Sequence, residues 1–229
     1  MTGDERAALR ERLADERPLT WVLTGDSITH GIVHTHGGRS YPEHLHEVVR
    51  GDLGRARDAL INTGVSGNRL ADILGDWDHR VARWSPDVVT LMIGTNDCAP
   101  DAQGRGTAVA HFTADLVRFV NLVRALDAIP ALQTPPPVDA ANAGSRAGIG
   151  EFVDAVRKVA HETDAILADH HMCFGRLGGG AMPWSLMGDP FHPNELGHAA
   201  IARELAAALE LDHADSPTLA RLDGLIAGR

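Results

Sequence analysis

The sequence predicts an α/β protein, a three-layer α/β/α sandwich around a five-stranded parallel sheet. Short runs rich in Val, Ile and Leu lack the alternation of half-exposed strands, which is typical of strands covered on both faces. Segments with apolar residues at helical spacing follow these runs. This strand–helix order repeats five times, and such repeats form right-handed crossovers over one sheet. The 229 residues are near the size of one large domain, since domains average roughly 150 residues.

The five strands are predicted from apolar runs taken in chain order. They are Trp21–Thr24, Ala59–Asn62, Val88–Ile93, Ile129–Gln133 and the weaker Ala165–Ala168. The helices that follow them are predicted at Tyr41–Val49, Arg69–Trp84, Thr107–Ala128, Ile149–His161 and Pro193–Leu211. In the last of these helices, Pro193 suits the first turn. Residues 4–16 are predicted as an N-terminal helix, and the chain after Asp212 as a short helix or a frayed end. We therefore expect one domain over residues 1–229, with its core at about 18–211 and a tail at 212–229.

Composition excludes several classes of partner. The formal net charge is −10, and an acidic surface repels the phosphate backbone, so we expect no nucleic-acid binding. No segment approaches the roughly 20 apolar residues that span a bilayer, so no membrane partner is expected. The charged N-terminal segment does not resemble a signal peptide, which predicts a cytoplasmic protein. Cys98 and Cys173 are far apart and form no CxxC pair, so both are expected to be free thiols. The oligomeric state stays open.

Polar, glycine-rich loops follow the strands, at the edge of a parallel α/β sheet where ligands bind. In the first loop, Ser27 is a candidate nucleophile, and a serine hydroxyl needs an adjacent base. Asp189 and His192, three residues apart before a helix, can form that base, because the carboxylate can hold the imidazole with Nε2 facing a serine. Taken alone, Ser27 is better explained as a turn or helix-cap residue, and the spacing of Asp189 and His192 as a capping turn or a metal pair.

Acyl transfer also needs N–H donors at the place where an oxyanion forms. Gly67 and Ser27 can offer backbone N–H groups, and Asn96 can offer its side-chain amide. Ordinary turn chemistry is the alternative for all three.

Taken together, GDS, GN, GxND and DxxHP at successive strand ends resemble the SGNH (GDSL-type) hydrolase family, over roughly Trp21 to Leu211. The block G-D-S-I-T-x-G is complete at 25–31, G-x-N-D is complete at 94–97, and Pro190 stands where the family often has Gly. The resemblance implies a flavodoxin-like fold with Ser27 as nucleophile, His192 as general base and Asp189 as the residue that orients it. It also implies an oxyanion hole of the Ser27 N–H, the Gly67 N–H and the Asn96 amide, with no cofactor and no metal.

Several neighbouring residues could either line the substrate or hold the loops in place. The candidates for lining the substrate are Asp26, His30, Trp184 and Phe191. Asp26 and Asp97 are favoured as loop-holding residues, and Asn62 as a tether between loops. Segment 171–188, glycine-rich with apolar anchors, is either a movable pocket wall or a plain surface loop.

The remaining histidines are weighed in the same way. His34 with His36, and His44 with His46, have the spacing of metal pairs, but zinc needs three or four converging ligands, so solvated or packed histidines are favoured. His170 and His171 are expected on the surface.

The expected function is hydrolysis of carboxylic esters, namely short-chain acyl or acetyl esters of a small molecule, sugar or natural product, through an acyl-enzyme on Ser27. An acyltransferase or a thioesterase would use the same site, and product analysis with and without an acceptor separates them. A non-catalytic binding module would leave Ser27 unlabelled by a fluorophosphonate. A metallohydrolase built on the histidine pairs would lose activity with EDTA.

Overall fold

A computed structural model describes residues 4–100, 104 and 106–228. Its centre is a parallel sheet of five strands in the order β2-β1-β3-β4-β5. The strands are β1 Thr20–Gly25, β2 Ala59–Asn62, β3 Val88–Met92, β4 Ile129–Gln133 and β5 Ile166–Ala168. The predicted class and all five strands are confirmed, and this strand order is that of flavodoxin-like folds.

The helices lie between and around the strands. They are α1 Glu5–Ala14, α2 Ser27–His30, α3 Tyr41–Glu47, α4 Leu70–Gly75, α5 Trp77–Arg80, α6 Val109–Ala125, α7 Ile149–Thr163, α8 His170–Leu177, α9 Glu195–Ala208 and α10 Pro217–Ala227. A π-helical turn, Val48–Asp52, extends α3, and 3₁₀ turns occur at Ala82–Trp84, Gly144–Arg146 and Trp184–Leu186. In the described part of the chain, no helix has both the length and the apolarity needed to cross a membrane.

Two apolar cores cover the two faces of the sheet. Trp21 and Leu23 of β1 point into the core formed with α1, α3, α9 and α10, whereas Val22 between them points into the core formed with α4, α6 and α7. Successive side chains of a strand point to opposite faces, so a strand that is apolar throughout needs cover on both sides. This explains why β1, β3 and β4 read as largely apolar runs, whereas the edge strand β2 is partly exposed.

The strands end in register at one edge of the sheet. Gly25 pairs with Met92, Met92 with Gln133, and Gln133 with Ala168. The loops that follow β1, β3, β4 and β5 therefore start side by side, and this edge is where the polar motifs meet.

The prediction of one helix at Arg69–Trp84 was wrong. The segment breaks at Asp76, whose φ of −114° and ψ of 34° leave the helical region, and α4 and α5 lie on either side of it. The break allows Trp77 to pack edge-on against Phe119 at 5.6 Å between ring centroids. It also lets the buried Arg80 reach the side chain of Asn68 and the carbonyl of Gly25. Helical periodicity does not report such contacts.

The last predicted helix begins later than its proline. Asn194 caps α9 by accepting from the N–H groups of Leu196 and Gly197, while Pro193 forms an isolated antiparallel bridge with Met187. Pro193 is therefore outside the helix, because the cap that satisfies the first turn is the asparagine after it.

The ends of the described chain add to the core. Leu9 of α1 and Leu219 and Leu222 of α10 are buried in it and lie outside the range of about 18–211 that was predicted for the core. The chain after Asp212 forms α10, with Ser216 as its cap. The prediction of one domain over 1–229 stays a prediction.

Candidate active site

The loop after β1, residues 25–31, which we call the GDS loop, turns directly into α2. Asp26 caps this short helix, and its Oδ1 accepts from the Ile28 N–H at 2.9 Å. Ser27 is the first helical residue, and the first N–H groups of a helix have no acceptor within it. The Ser27 hydroxyl and N–H therefore lie together at the carboxyl edge of the sheet.

Residues 188–194, which we call the DPFH loop, form a tight turn around one carboxylate. Asp189 Oδ1 accepts from the backbone N–H of Phe191 at 2.9 Å and of His192 at 2.8 Å. The N–H of Gly188 donates to the carbonyl of His192 at 2.8 Å. The turn holds Asp189 and His192 so that their side chains face each other.

Ser27, His192 and Asp189 form a continuous chain of polar contacts. Ser27 Oγ lies 2.9 Å from His192 Nε2, and His192 Nδ1 lies 2.7 Å from Asp189 Oδ2. A carboxylate only accepts, so the proton of a neutral His192 sits on Nδ1 and leaves Nε2 as an acceptor for the serine O–H. The structure thus brings together the three residues that the sequence singled out.

The pKa values of the two ionisable groups favour this arrangement. Burial lowers the pKa of His192 below that of a free imidazole, although Asp189 opposes this. Burial alone would raise the pKa of Asp189, but hydrogen bonds from the Phe191 N–H and from the His192 ring and N–H bring it below its ordinary value. At neutral pH the pair is therefore a neutral imidazole beside an ionised carboxylate.

The second loop, residues 63–68, packs against the GDS loop. Gly67 has a φ of +84°, in the left-handed region that favours glycine. A Cβ at Gly64 would collide with the backbone nitrogen of His30, so the second loop lies directly against the GDS loop. Asn62 joins the same two loops, since its Nδ2 donates to the Thr29 carbonyl at 2.7 Å and its Oδ1 accepts from the Gly64 N–H at 2.8 Å. This is the tether predicted for Asn62.

The amide of Asn96 is held at both ends. Its Nδ2 donates to the Asn68 carbonyl at 3.1 Å, and its Oδ1 accepts from Arg146 Nη2 at 3.2 Å. An amide nitrogen carries two N–H donors, so one stays available for a ligand. The orientation of the amide is set by these two contacts.

Sequence reasoning missed Arg146. Its Nε donates to the Thr95 carbonyl at 3.1 Å, and its guanidinium carbon lies 3.9 Å from the centroid of the Phe191 ring. One side chain therefore links the GxND loop to the DPFH loop. A lone arginine in the proline-rich segment 134–148 gave no signal of this contact.

Sequence reasoning weighed His34 as a metal ligand or as a solvated or packed histidine, and it missed the contact of His34 with His192. Its ring stacks on that of His192, with 3.6 Å between centroids and 7° between planes, and its Nδ1 lies 3.5 Å from Asp189 Oδ2. Within the described residues, His34, Asp189 and His192 have ligand atoms close enough for a metal ion. The in-plane lone pairs of nearly parallel stacked rings, however, lie in separate parallel planes, whereas zinc needs donors that converge. The geometry fits a stacked pair better than a metal centre.

The predicted substrate-lining residues divide into two groups. Asp26 is buried, and burial raises its pKa to about 7, so it supports the GDS loop and has no surface to offer a substrate. His30 is half-buried and its Nδ1 contacts Ser66 Oγ at 3.1 Å. Trp184 is 51% exposed, and Phe191 borders His192 at 4.3 Å between ring centroids. These three stay candidates.

The loop-holding role expected of Asp97 agrees with its contacts. Asp97 is buried, and its Oδ1 accepts from the Leu70 N–H at 3.0 Å. Its carboxylate therefore joins the GxND loop to the start of α4.

The expectation that His170 lies on the surface was wrong. His170 belongs to α8, which was not predicted, and is fully buried with Nε2 2.9 Å from Gln133 Oε1. Much of segment 171–188 is thus helix rather than loop. Cys98 and Cys173 are free thiols, as predicted.

The sequence profile of the GDSL-like lipase/acylhydrolase family matches residues 23–200. The chain belongs to this family. By class it is a carboxylic ester hydrolase, and its fold is the SGNH fold that the motifs predicted.

Relatives agree with this assignment. An acetylxylan esterase of Geobacillus stearothermophilus is 27% identical to this hydrolase over 150 residues, which cover 63% of this chain and 68% of that protein. An uncharacterized protein of Mycoplasma pneumoniae is 34% identical over 121 residues, 52% of this chain, but the match spans 14% of that longer protein.

Solved structures share the fold. The hydrolase LAE5, an alpha/beta hydrolase enzyme from the metagenome of Lake Arreo in Spain, is 28% identical, with a TM-score of 0.73 over 86% of this chain and 99% of that one. The acetylxylan esterase Axe2 of Geobacillus stearothermophilus is 24% identical, with a TM-score of 0.73 over 86% of this chain and 97% of that one; at this identity the likeness concerns the fold.

Proposed function

We propose that this hydrolase cleaves short-chain acyl or acetyl esters of a small molecule, sugar or natural product through an acyl-enzyme on Ser27. The observation that carries the proposal is the chain of contacts from Ser27 Oγ to His192 Nε2 at 2.9 Å and from His192 Nδ1 to Asp189 at 2.7 Å. A serine hydroxyl becomes a nucleophile when a neutral imidazole accepts its proton. The similarity to an acetylxylan esterase supports the choice of acetyl esters.

In this mechanism Ser27 Oγ attacks the ester carbonyl while His192 Nε2 takes the hydroxyl proton. The imidazolium, stabilised by ionised Asp189, then gives that proton to the leaving alcohol. A water molecule then attacks the acyl-enzyme while His192 takes its proton. His192 returns the proton to Ser27 Oγ as the acid is released. Each proton is thus returned and no other reactant is needed.

The oxyanion of the tetrahedral intermediate would be held by the N–H groups of Ser27 and Gly67 and by the second N–H of Asn96. Arg146 supports this role because it donates to Asn96 Oδ1. This contact directs the Nδ2 end of the amide away from the guanidinium. Losing one such donor costs about 10²–10³ in kcat, roughly 2.7–4 kcal/mol. His30, Trp184 and Phe191 would border the bound ester.

A small soluble ester is the proposed partner, and a cytoplasmic location stays part of the proposal. The two free thiols support a reducing compartment. The half-exposed site at the sheet edge supports small acyl groups rather than long chains.

A fluorophosphonate probe, followed by peptide mapping, tests the nucleophile. We expect wild-type protein to be labelled at Ser27 and to hydrolyse p-nitrophenyl acetate faster than longer-chain esters. Ser27→Ala should lose labelling and at least about 10³-fold in kcat. Ser145→Ala removes an exposed serine of the segment after β4 and should keep both. Labelling elsewhere, or an active Ser27→Ala, would overturn the proposal.

A further inference from the structure

The ring of His34 covers one face of the His192 imidazole. The two rings are nearly parallel, 3.6 Å apart at their centroids, and His34 Nδ1 faces Asp189 Oδ2 at 3.5 Å. The second distance is long for a hydrogen bond, so the stacking is the main contact. His34 touches two members of the proposed triad without lying in the line of proton transfer.

The backbone that carries His34 is strained. Val33 has a φ of +69° and His36 a φ of +50°, although a β-branched residue rarely adopts the left-handed region. The Val33 side chain is 74% exposed, so its own burial does not offset this strain. Such strain persists where the surrounding structure holds a functional geometry.

The loop around His34 is attached to its neighbours on both sides. Thr35 Oγ1 donates to the Gly31 carbonyl at 3.3 Å, and the Gly38 N–H donates to the Thr35 carbonyl at 2.8 Å. A Cβ at Gly188 would lie 3.2 Å from the His34 carbonyl, so this loop packs directly on the DPFH loop. These contacts fix the backbone on which the His34 ring is carried beside the DPFH loop.

Hydrogen bonds at Nδ1 and Nε2 hold His192 along one line, but they leave its ring free to rock about that line. A flat ring at van der Waals distance removes this freedom and keeps water from the face. We propose that His34 is a positioning residue that keeps Nε2 of His192 directed at Ser27. This inference rests on the proposed function, in which His192 is the base.

The stacking also bears on the pH at which the base is neutral. The charged groups around the pair are Asp189 and Arg146, and the titratable group beside them is His198, whose pKa burial lowers to about 3. Burial is the main cause of the lowered pKa of His192, and the charges of His34 and Arg146 act in the same direction against Asp189. Removing the His34 ring exposes His192 and removes a like charge, and both changes raise its pKa. Replacing His34 by Phe keeps the cover and removes only the charge.

Two variants and a control test the proposal with p-nitrophenyl acetate. His34→Ala should lower kcat by about ten- to hundredfold with KM within twofold, since small misplacements of a reacting group are costly. The acid limb of the pH profile of kcat/KM should move to higher pH in this variant. His34→Phe should restore kcat to within about threefold of wild type, with a smaller move of the acid limb. His36→Asn, at an exposed position of the same loop, should behave as wild type.

The outcomes separate this inference from the proposed function. If Ser27→Ala is inactive while His34→Ala keeps wild-type kcat and pH profile, His34 has no positioning role. If His34→Phe is as impaired as His34→Ala, stacking is not what matters and the proposal fails as well. If Ser27→Ala stays active, the proposed function fails first. An unchanged thermal melt of His34→Phe shows that the variant is folded, so that its kcat can be compared with that of the wild type.

Discussion

The GDS loop and the DPFH loop each hold an aspartate through backbone N–H donation, yet they shift the pKa values of the two carboxylates in opposite directions. Asp26 accepts from the Ile28 N–H through Oδ1, while its Oδ2 has no hydrogen-bond partner among the described residues. Burial raises its pKa to about 7. The Asp189 side chain is 30% exposed and has three donors, which lower its pKa.

The difference shows that donors and solvent, rather than residue type, decide the charge of a carboxylate. Asp189 is ionised at neutral pH and can stabilise an imidazolium. Asp26 is close to half-protonated there, but it is buried and its Oδ1 holds the Ile28 N–H, so it is not placed to exchange a proton with a substrate. Its contacts hold the start of α2.

The largest effect is expected from removing the charge of the carboxylate in the DPFH loop. Asp189→Asn places an N–H donor or a neutral oxygen opposite His192 Nδ1, which allows the wrong tautomer and withdraws the charge. We expect kcat for p-nitrophenyl acetate to fall about 10⁴-fold. The matched change, Asp26→Asn, should lower kcat less than tenfold. An Asp189→Asn variant that kept a tenth of wild-type kcat would remove the distinction between the two loops.

An intermediate effect is expected at Arg146, which joins the DPFH loop to the donors beside the GDS loop. Arg146→Gln loses the guanidinium that contacts the Asn96 amide, the Thr95 carbonyl and the Phe191 ring. We expect kcat to fall about tenfold, less than the ~10²–10³ of a lost oxyanion donor, because Asn96 is still present but less well oriented.

KM for p-nitrophenyl acetate should change little in Arg146→Gln. Arg118→Gln, on an exposed position of α6, serves as the control for loss of one positive charge. An equal loss of kcat in both variants would point to overall charge instead of orientation.

The smallest effect concerns stability and the GDS loop. Asp26 has a raised pKa in the folded protein and about 3.9 in the unfolded chain, so its contribution to stability is lost as pH rises from about 4 through about 7. Asp26→Asn removes the cost of the buried charge and keeps an oxygen for the Ile28 N–H.

Urea unfolding at pH 5 and pH 8 measures this effect. The variant should gain on the order of 1 kcal/mol relative to wild type at pH 8, and less at pH 5. An equal change at both pH values would mean that Asp26 is not titrating in the folded protein.

Local patterns carried much of the fold and the centre of the site. Apolar runs in β1 to β5 predict a parallel sheet because only strands covered on both faces lack polar positions. The GDS and DxxH motifs locate Ser27, Asp189 and His192 because a capped turn at a strand end and a three-residue spacing are local geometry. The break at Asp76 escaped prediction, since the contact that it allows, Trp77 against Phe119, joins residues 42 positions apart in the sequence.

His34 and Arg146 show what residue order leaves open. Each contacts the DPFH loop from a distant part of the chain, by ring stacking or by a guanidinium over a ring. Such contacts have no spacing rule, because they depend on which loops the sheet brings to one edge. His170 is similar, since its burial follows from the position of α8 against Gln133 at the end of β4. Sequence order decides which groups can react, and the assembled loops decide how those groups are oriented, covered and charged.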